Sequence, residues 1–423
     1  MMKTKIEPAP RASNKTSHMA AWGRRVAGQW TVGAILGSLV ACAVAPPARP
    51  PGSPSPPGPA QSGGTTPAIT LPQAPGPAPV DAGRTRIVRA RAQWLPAAWA
   101  DLPGWGNDRA LALWPALLQS CARLSAEMVS VWRPVCARAL ASPPVDDMAA
   151  RAWLERELQP YQVQSLDGDP RGLATGYFEP SINASRQPRP GFTVPLHRPP
   201  ADLAQKKPYW TRQQQDTLPA ARAALRGREI AYVASPLDAL ILQIQGSGRL
   251  RVTEADASQR LVRLAFAGHN DQPYRSVGAW LIEQGEIKPG GANWPAIRDW
   301  AARARPDRVN EMLWSNPRVV YFREEPLPDE TLGPRGAQGV PLTAGRSVAV
   351  DPLALPYGTL LWIDTTEPLT ATPLRRLVLA QDTGSAITGA VRIDYFWGAG
   401  EQAEAQAGRM KQALRVWVLW PAR

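Results

Sequence analysis

The most informative stretch of this 423-residue sequence is Asp382-Thr383-Gly384-Ser385-Ala386-Ile387, followed after Gly389 by Arg392-Ile393-Asp394-Tyr395-Phe396-Trp397-Gly398. Its two aspartates lie 12 positions apart and flank a turn of small residues. The pattern predicts a strand–turn–strand that brings Asp382 and Asp394 onto neighbouring elements. Because apolar residues bracket Asp394, burial is expected to raise the pKa of its carboxyl, as a general acid requires. An alternative stays open, in which Asp382 caps a turn and Asp394 is a surface residue of an alternating strand.

Short apolar runs separated by turn residues occur on both sides of this stretch and predict strands. Beyond Leu173 the predicted strands are 229–233, 240–244, 250–252, 346–350, 359–363, 377–380, 391–396 and 416–419. Helical spacing of apolar residues is found over 106–160 and returns at 275–284 and 293–302. We therefore expect a mostly β protein with helices packed around it.

Three further segments carry distinctive residues. Gly176-Tyr177-Phe178-Glu179-Pro180 places an aromatic pair between a turn glycine and a proline. Gln243-Ile244-Gln245-Gly246-Ser247-Gly248-Arg249 is predicted to end a strand in small residues, which leaves backbone amides and a glutamine amide open to a polar ligand. Tyr274-Arg275-Ser276-Val277-Gly278 has the pattern of a helix start. Each segment taken alone also fits an ordinary turn.

Composition excludes several classes of protein. The chain is 44% hydrophobic, which is enough for a core, and its three histidines (His18, His197 and His269) come without a CxxC or H-E-x-x-H motif. A histidine-rich metal centre and, without a G-x-x-x-x-G-K-[ST] motif, a P-loop enzyme are therefore not expected. The net charge of +13 comes mostly from scattered arginines, so no nucleic-acid partner is expected. Compositional bias and attraction to an anionic polymer or membrane surface both remain open.

The N-terminus has the pattern of an export signal. Arg24 and Arg25 precede an apolar run that is far shorter than the ~20 residues of a membrane-spanning helix. Leu39-Val40-Ala41-Cys42 resembles a bacterial lipobox, so we expect residues 1–41 to be a lipoprotein signal peptide and Cys42 to be lipidated. An ordinary signal with an accidental cysteine is the alternative, and Met19 is a second candidate start.

Proline dominates the segment that follows. We expect residues 42–84 to be the lipidated cysteine and a Pro-rich tether, which at about 3.1 Å per residue reaches on the order of 100 Å. Export also places Cys121 and Cys136 outside the reducing cytosol. A disulfide between them is the default expectation, with two buried thiols as the alternative.

Several of these segments, in this order, resemble the membrane-bound lytic murein transglycosylase A (MltA) family. The motifs are Gly176–Pro180, Gln243–Arg249, the stretch from Val350-Asp351-Pro352 to Pro356-Tyr357-Gly358-Thr359, and the stretch from Asp382 to Asp394. The resemblance covers about Leu173 to Trp420, and the three aspartates that name the family's C-terminal domain would be Asp351, Asp382 and Asp394.

The resemblance implies a double-psi β-barrel domain that carries an inserted second β domain, with a groove for a glycan strand between them. The barrel domain would comprise residues 85–180 and 321–423, and the MltA-type insert residues 181–320. The implied substrate is peptidoglycan, cleaved without water at the β-1,4 bond from N-acetylmuramic acid to N-acetylglucosamine, with a 1,6-anhydro product.

The resemblance also implies roles for individual residues. Asp394 would be the single catalytic residue, acting first as acid and then as base, which agrees with the expected rise of its pKa. Asp382 would orient the reacting groups. The further residues implied in substrate binding are Tyr177, Gln245, Ser247, Gly384 and Ala386. No cofactor and no metal are implied.

Two other functions compete with this one. Asp382-Thr383-Gly384-Ser385 spells the D-T-G-S of aspartic proteases, which need two carboxylates that share a proton. No second D-T-G occurs in the sequence, so such a protease would have to be a homodimer. A non-catalytic, wall-binding lipoprotein that uses the same groove is the other alternative.

Expected partners and location follow from the lipobox and the resemblance. We expect a monomer that binds peptidoglycan glycan strands and is held to a membrane by its lipid anchor, with cell-wall synthesis proteins as further candidate partners. Ala43 follows the cysteine where an aspartate would favour inner-membrane retention, so the periplasmic face of the outer membrane of a Gram-negative bacterium is expected. Exolytic or endolytic preference and tolerance of peptide stems have no signature in the sequence.

Overall fold

The computed structural model describes residues 84–422. Its strands are β1 Ile87–Val88, β2 Gln93–Pro96, β3 Leu158–Gln164, β4 Gly172–Glu179, β5 Ser181–Ser185, β6 Val194–His197, β7 Glu229–Val233, β8 Gly248–Thr253, β9 Gln259–His269, β10 Val320–Pro326, β11 Ser347–Val350, β12 Leu360–Thr366, β13 Pro373–Asp382, β14 Arg392–Ala399 and β15 Lys411–Pro421. The α-helices are α1 Trp114–Cys121, α2 Ala126–Ala141, α3 Asp147–Glu157, α4 Arg212–Thr217, α5 Pro219–Leu225, α6 Pro236–Gln245, α7 Val277–Glu283, α8 Trp294–Arg303, α9 Pro306–Ser315 and α10 Glu401–Ala407. The signal peptide, Cys42 and the tether, predicted for residues 1–84, lie outside the described residues except for Arg84.

Nine strands form the larger sheet, in the order β1-β2-β3-β15-β12-β13-β11-β14-β4. A further pairing between β15 and β4 closes six of these strands, β15, β12, β13, β11, β14 and β4, into a barrel. Two of its pairings are parallel, β11 with β13 and β14 with β4, and the others are antiparallel. Its interior is filled by aliphatic residues such as Val348, Leu361, Val378 and Ile393, which are fully buried.

A second sheet of six strands, in the order β10-β9-β8-β5-β7-β6, is inserted into the barrel sequence between β4 and β11. Its core contains Leu250, Leu264 and Phe322, all with 0% exposure. The fold class is therefore the expected one, mostly β with helices, in which a barrel carries a second β unit. Among residues 84–422, no helix combines the length and the apolar character that a membrane crossing requires.

Helices α1 to α3 cover one side of the barrel. Trp132 on α2 and Leu117 on α1 belong to one buried cluster with Trp362 on β12 and Trp417 on β15. Burying each such side chain contributes about 1.5–3 kcal/mol or more. Cys121 and Cys136, at the end of α1 and within α2, are joined by a disulfide with Cα atoms 5.5 Å apart.

One predicted strand is wrong. Residues 240–244 lie in helix α6, which begins with the Ser235 hydroxyl accepting from the Leu237 amide and with Pro236 in its first turn. It ends at Gly246, whose left-handed backbone (φ 78°) is typical of a helix C-cap. The continuous apolar run does not distinguish a buried strand from a buried helix, and the two caps decide in favour of the helix. The segment 243–249 therefore ends a helix and enters β8.

A buried charge cluster connects the two sheets where the chain leaves the barrel. Glu179, at the end of β4 and fully buried, accepts from Arg263 at 2.6 Å and from Arg249 at 2.8 Å. Arg263 also donates to the carbonyl of Leu332, in the segment that returns to the barrel. Removing one partner of a buried ion pair typically costs about 3–5 kcal/mol of stability. This cluster therefore stabilises both points of connection, where the chain leaves the barrel and where it returns.

Candidate active site

Asp382 and Asp394 lie two strands apart, on either side of β11. Ala349 of β11 is the register partner of both, of Asp382 on the parallel strand β13 and of Asp394 on the antiparallel strand β14. The sequence pattern predicts that the two aspartates lie on neighbouring elements. This prediction is wrong, because β11 pairs between the two strands that carry them. Strands lie about 4.8 Å apart, so the two backbone positions are separated by about 10 Å. The register therefore does not bring the two carboxyls to adjacent positions, where they could share a proton through a direct hydrogen bond.

Asp394 is partly buried on β14, and its carboxylate Oδ1 accepts a hydrogen bond of 2.6 Å from the hydroxyl of Thr175. Burial raises the pKa of Asp394 to about 6, against the lowering effects of the Thr175 hydrogen bond and of the nearby Arg392 charge. The negative charge of Asp382 adds to the rise. A carboxyl with this pKa is protonated often enough near neutral pH to donate a proton and, once ionised, is a competent base.

Asp382 has a different set of partners. Its Oδ2 accepts from the Tyr177 hydroxyl at 3.0 Å and its Oδ1 from the backbone amide of Ala337 at 2.9 Å. Burial raises the pKa of Asp382, while the hydrogen bonds from the backbone amides of Thr383 and Ala337 and from the Tyr177 hydroxyl act in the opposite direction. Three donors converge on this carboxyl, so it is fixed in position more firmly than Asp394.

Tyr177 stays a hydrogen-bond donor in this arrangement. Burial first, and then the charges of Asp382 and Asp394, raise the pKa of the Tyr177 phenol well above its usual value. Its side chain is 9% exposed, and its ring packs against Phe396 with ring centroids 5.2 Å apart. The Tyr177 hydroxyl is thus held against Asp382 as a neutral donor.

Asp351, the third aspartate of the predicted set, has a structural environment. It is 3% exposed, forms an ion pair of 2.9 Å with Arg91, and accepts from the amides of Gly389 at 2.8 Å and Leu353 at 3.0 Å. Burial opposes ionisation, but these hydrogen bonds and the arginine together lower the pKa of Asp351. A carboxylate held ionised in this way anchors the loop between β13 and β14 and does not donate a proton.

A continuous groove contains Asp394 and Asp382. One cavity of about 570 Å³ is lined by residues of the barrel and of the inserted unit, among them Thr175, Asp394 and Ala386. A second cavity of about 740 Å³ lies mostly along the inserted sheet and contains Ser247. The two cavities share walls, which are Tyr177, Ile244, Gln245, Tyr274, Asp382, Thr383, Gly384 and Ser385. The groove is therefore long enough to hold more than one sugar residue.

All substrate-binding residues predicted from the sequence line this groove. Gln245 uses its Oε1 to accept from the Phe178 amide at 3.1 Å, so its amide nitrogen remains the group available to a ligand. Ser247 is 9% exposed, whereas Ala386 on the other wall is exposed.

Three groups next to the carboxyls are missing from the sequence prediction. Thr175 directly precedes the Gly176–Pro180 motif, but its contact with Asp394 depends on a parallel pairing of strands 219 residues apart. Ala337 acts through its backbone amide, which has no side-chain signature. Tyr274 lines both cavities, and the sequence marks it only as part of a helix start. In residues 84–422, no three His, Cys, Asp or Glu side chains cluster as metal ligands.

Two family models match this chain. The model of the MltA specific insert domain matches residues 173–323, and the model of the 3D domain matches residues 346–420. These segments contain the inserted sheet and the barrel strands that carry both aspartates. The match agrees with the resemblance based on the sequence motifs.

Relatives and solved structures point to the same family. The membrane-bound lytic murein transglycosylase A of Vibrio cholerae is 30% identical over 307 residues, which cover 70% of this chain and 77% of that protein. The protein of the same name from Escherichia coli is 30% identical over 269 residues, covering 61% and 68%.

Three solved structures extend this comparison. The lytic transglycosylase LtgG of Burkholderia pseudomallei is 43% identical, with a TM-score of 0.56, and covers 82% of this chain and 100% of that one. MltA from Neisseria gonorrhoeae is 28% identical with a TM-score of 0.67, covering 82% and 96%. Escherichia coli MltA with bound chitohexaose is 27% identical with a TM-score of 0.60, covering 78% and 95%. The chain therefore belongs to the membrane-bound lytic murein transglycosylase A (MltA) family.

Proposed function

We propose that this chain is a peptidoglycan lytic transglycosylase. It cleaves the β-1,4 bond between N-acetylmuramic acid and N-acetylglucosamine and forms a 1,6-anhydromuramyl product without water. The observation that carries the proposal is the setting of Asp394, a groove carboxyl two strands away from Asp382 that accepts a hydrogen bond from Thr175 and whose pKa burial raises to about 6. The relatives' names and the chitohexaose bound to the Escherichia coli protein support a glycan substrate.

In this mechanism one carboxyl performs both proton transfers. Protonated Asp394 donates its proton to the glycosidic oxygen, the bond from C1 to that oxygen breaks, and positive charge develops at C1. The resulting carboxylate then accepts the proton of the muramic acid O6 as O6 bonds to C1. Atoms balance without a water molecule, and Asp394 returns to its protonated state. Ordinary glycosidases use two carboxyl groups for the equivalent steps.

The other predicted residues assist this chemistry. Asp382, held by Tyr177 and by the Ala337 amide, orients the reacting sugar and does not transfer a proton. Tyr177, Gln245 and Ser247 bind sugar hydroxyl or acetamido groups, and the loop residues Gly384 and Ala386 bind through their backbone at the opposite wall.

The domain division follows the strand order. We assign residues 85–180 to the first part of the barrel domain, since β4 ends at Glu179 and β5 of the inserted sheet begins at Ser181. The second boundary, placed at 320/321 from the sequence, moves to the end of β10, because β10 (Val320–Pro326) pairs with β9 in the inserted sheet. We further propose a monomer, because both walls of the groove belong to one chain.

We also propose that the enzyme is membrane-associated through a lipid on Cys42, at the periplasmic face of the outer membrane. The lipobox and the name of the relatives support this location. A Cys42→Ala variant is then expected to incorporate no labelled fatty acid while its catalytic unit still acts on isolated sacculi. Label in that variant would contradict the anchor.

Digestion of purified sacculi tests the activity. Release of 1,6-anhydromuropeptides by the wild-type protein, measured by mass spectrometry, supports a lytic transglycosylase. Binding to sacculi without any product would favour the non-catalytic lipoprotein, and cleavage of a protein substrate would favour the aspartic protease.

A further inference from the structure

Arginines line the arm of the groove that runs along the inserted sheet. The cavity of about 740 Å³ contains four of them, Arg212, Arg318, Arg323 and Arg335, whereas Asp382 is its one carboxylate among the described residues. Asp382 lies at the end that this cavity shares with the site of Asp394. The arm is therefore cationic along most of its length.

Most of this positive charge has no directly paired carboxylate, although the charges of Asp216 and Asp271 act on Arg212 and Arg318 from beyond ion-pair distance. Arg323 forms an ion pair of 2.7 Å with Glu325. Among residues 84–422, no carboxylate lies within 4.0 Å of Arg212, Arg318 or Arg335. Arg318 donates instead to the carbonyl of Gln272 at 2.9 Å and Arg335 to that of Gly339 at 3.1 Å, which orient the guanidinium groups without cancelling their charge.

Arg212 adds a buried positive charge to the wall of this cavity. It is 8% exposed, and it donates to the Asn316 carbonyl at 3.1 Å and to Gln243 Oε1 at 2.7 Å, both neutral acceptors. The pKa of His269, in the same cavity, is lowered first by burial and then by the charge of Arg318. A histidine so placed remains neutral at pH 7 and leaves the arginines as the charged groups of this wall.

We propose that this arm binds the carboxylates of the peptide stems of peptidoglycan, with Arg318 and Arg335 as their direct partners. The inference rests on the proposed function, which supplies a glycan strand whose muramic acid residues carry peptides. The sugar rings are uncharged, and the lactyl carboxyl of muramic acid is amidated in a strand that bears its stem, so arginines without a directly paired carboxylate beside a sugar-binding groove have no partner in the glycan backbone. Guanidinium groups match carboxylates in a planar, paired geometry.

The arm adjoins the reacting site, and the position of the stems follows from that. The walls shared by the two cavities place the arm next to the sugar that reacts at Asp394. A stem on a muramic acid residue bound there extends away from the sugar ring and reaches the arginines. The proposal thus makes this enzyme prefer strands that still bear peptides.

The test compares two substrates: intact glycan strands, and the same strands after an amidase has removed the stems and the lactyl carboxylates that it leaves on the muramic acid residues have been converted to methylamides. The measured quantity is the ratio of kcat/KM for intact over peptide-free strands, from anhydro-product release. We expect Arg318→Gln/Arg335→Gln to lower this ratio about 10-fold relative to wild type, since charge-assisted hydrogen bonds are lost only with the intact substrate. The matched control is Arg303→Gln, which removes an exposed arginine at the end of α8 that donates to the Asp299 carbonyl.

A ratio is insensitive to a general loss of folded enzyme, because such a loss affects both substrates equally. The salt dependence of the wild-type kcat/KM ratio is a second measurement. Raising the salt concentration from 50 to 500 mM shortens the Debye length from roughly 14 to 4 Å, so a ratio that falls over this range would support the proposed charge pairing. Active variants with the wild-type ratio, or an equal drop in Arg303→Gln, would overturn the inference and leave the proposed function intact. A wild-type protein that releases no anhydro product from either substrate would overturn both.

Discussion

Thr175 on β4 donates a 2.6 Å hydrogen bond to Asp394 on β14, across a parallel pair of barrel strands. The hydroxyl stabilises the ionised form of the carboxyl, whereas burial stabilises the protonated form, and burial has the larger effect. The pKa of about 6 is the balance of these two influences together with smaller, opposing effects of the charges of Arg392 and Asp382. An acid that must later act as a base depends on such a balance, because either influence alone would favour one of its two roles.

The first prediction is a pH profile. Since the proposed mechanism starts from a protonated Asp394, we expect kcat/KM on sacculi to be highest below pH 6 and to fall about tenfold per pH unit above it. The measurement is the initial rate of anhydro-product release from about pH 4.5 to 8.5, with a thermal melt at each pH to exclude unfolding. A flat profile over this range would contradict the assignment of Asp394 as the acid.

The second prediction concerns the Thr175 hydroxyl. Thr175→Val removes the donor but keeps the shape, so the pKa of Asp394 should rise further and the descending limb of the pH profile should move up by about one pH unit. Thr175→Ser, which retains a hydroxyl, is the matched control and should keep the wild-type limb. A merely structural role of Thr175 would lower the rate at every pH without moving the limb.

The third prediction is a pH-dependent gain in stability. The folded pKa of Asp394 lies above the usual value of 3.8, so ionising this group costs folding free energy above pH 6 and costs nothing below about pH 4. Each pKa unit corresponds to about 1.4 kcal/mol, which makes the cost about 3 kcal/mol at most. Asp394→Asn should therefore melt at a higher temperature than wild type at pH 8 and at nearly the same temperature at pH 4. An equal difference at both values would contradict the raised pKa.

The fourth prediction addresses the disulfide between Cys121 and Cys136. Opening a 15-residue loop costs about 3 kcal/mol in the chain-entropy model. Reduction should therefore lower the melting temperature by roughly 4 °C for a folded unit of this size, with activity retained at low temperature. The Cys121→Ala/Cys136→Ala variant is the control, because reductant should leave its melting temperature unchanged. A shift of equal size in that variant would show that the reductant acts elsewhere.

The sequence predicts the barrel strands well because their signals are local. Short apolar runs between turn residues identify β11 to β15, and Ser276 marks the start of α7 by capping it. The apolar run at 240–244 fails as a predictor because a buried strand and a buried helix look alike without the caps at Ser235 and Gly246. The order of strands is non-local, so the placement of β11 between the two aspartates has no signal in their spacing.

The groups of the candidate site likewise fall into those that a local sequence motif reveals and those that only the fold reveals. Asp394 and Asp382 are predictable because they stand in distinctive local motifs. The Thr175 hydroxyl and the Ala337 amide become visible only in three dimensions, since each reaches its aspartate from a distant part of the chain. The environment that sets the pKa of the proposed catalytic carboxyl therefore comes from the fold, whereas the carboxyl itself is proposed from its sequence motif.

The last prediction separates the two aspartates. Asp394→Asn cannot donate and reaccept a proton, so kcat should fall by roughly 10³- to 10⁴-fold, the upper part of the range for lost proton transfer. Asp382→Asn keeps an oxygen that accepts from Tyr177 or Ala337, so we expect a loss of only about 10-fold, similar to that of Tyr177→Phe. Both aspartate variants should remain folded and bind sacculi, because binding is spread along the groove. The measurements are anhydro-product release, a thermal melt and a sedimentation assay with sacculi. An aspartic protease centred on Asp382 requires the reverse ranking, and a folded Asp394→Asn with near-wild-type turnover would end the single-carboxyl mechanism.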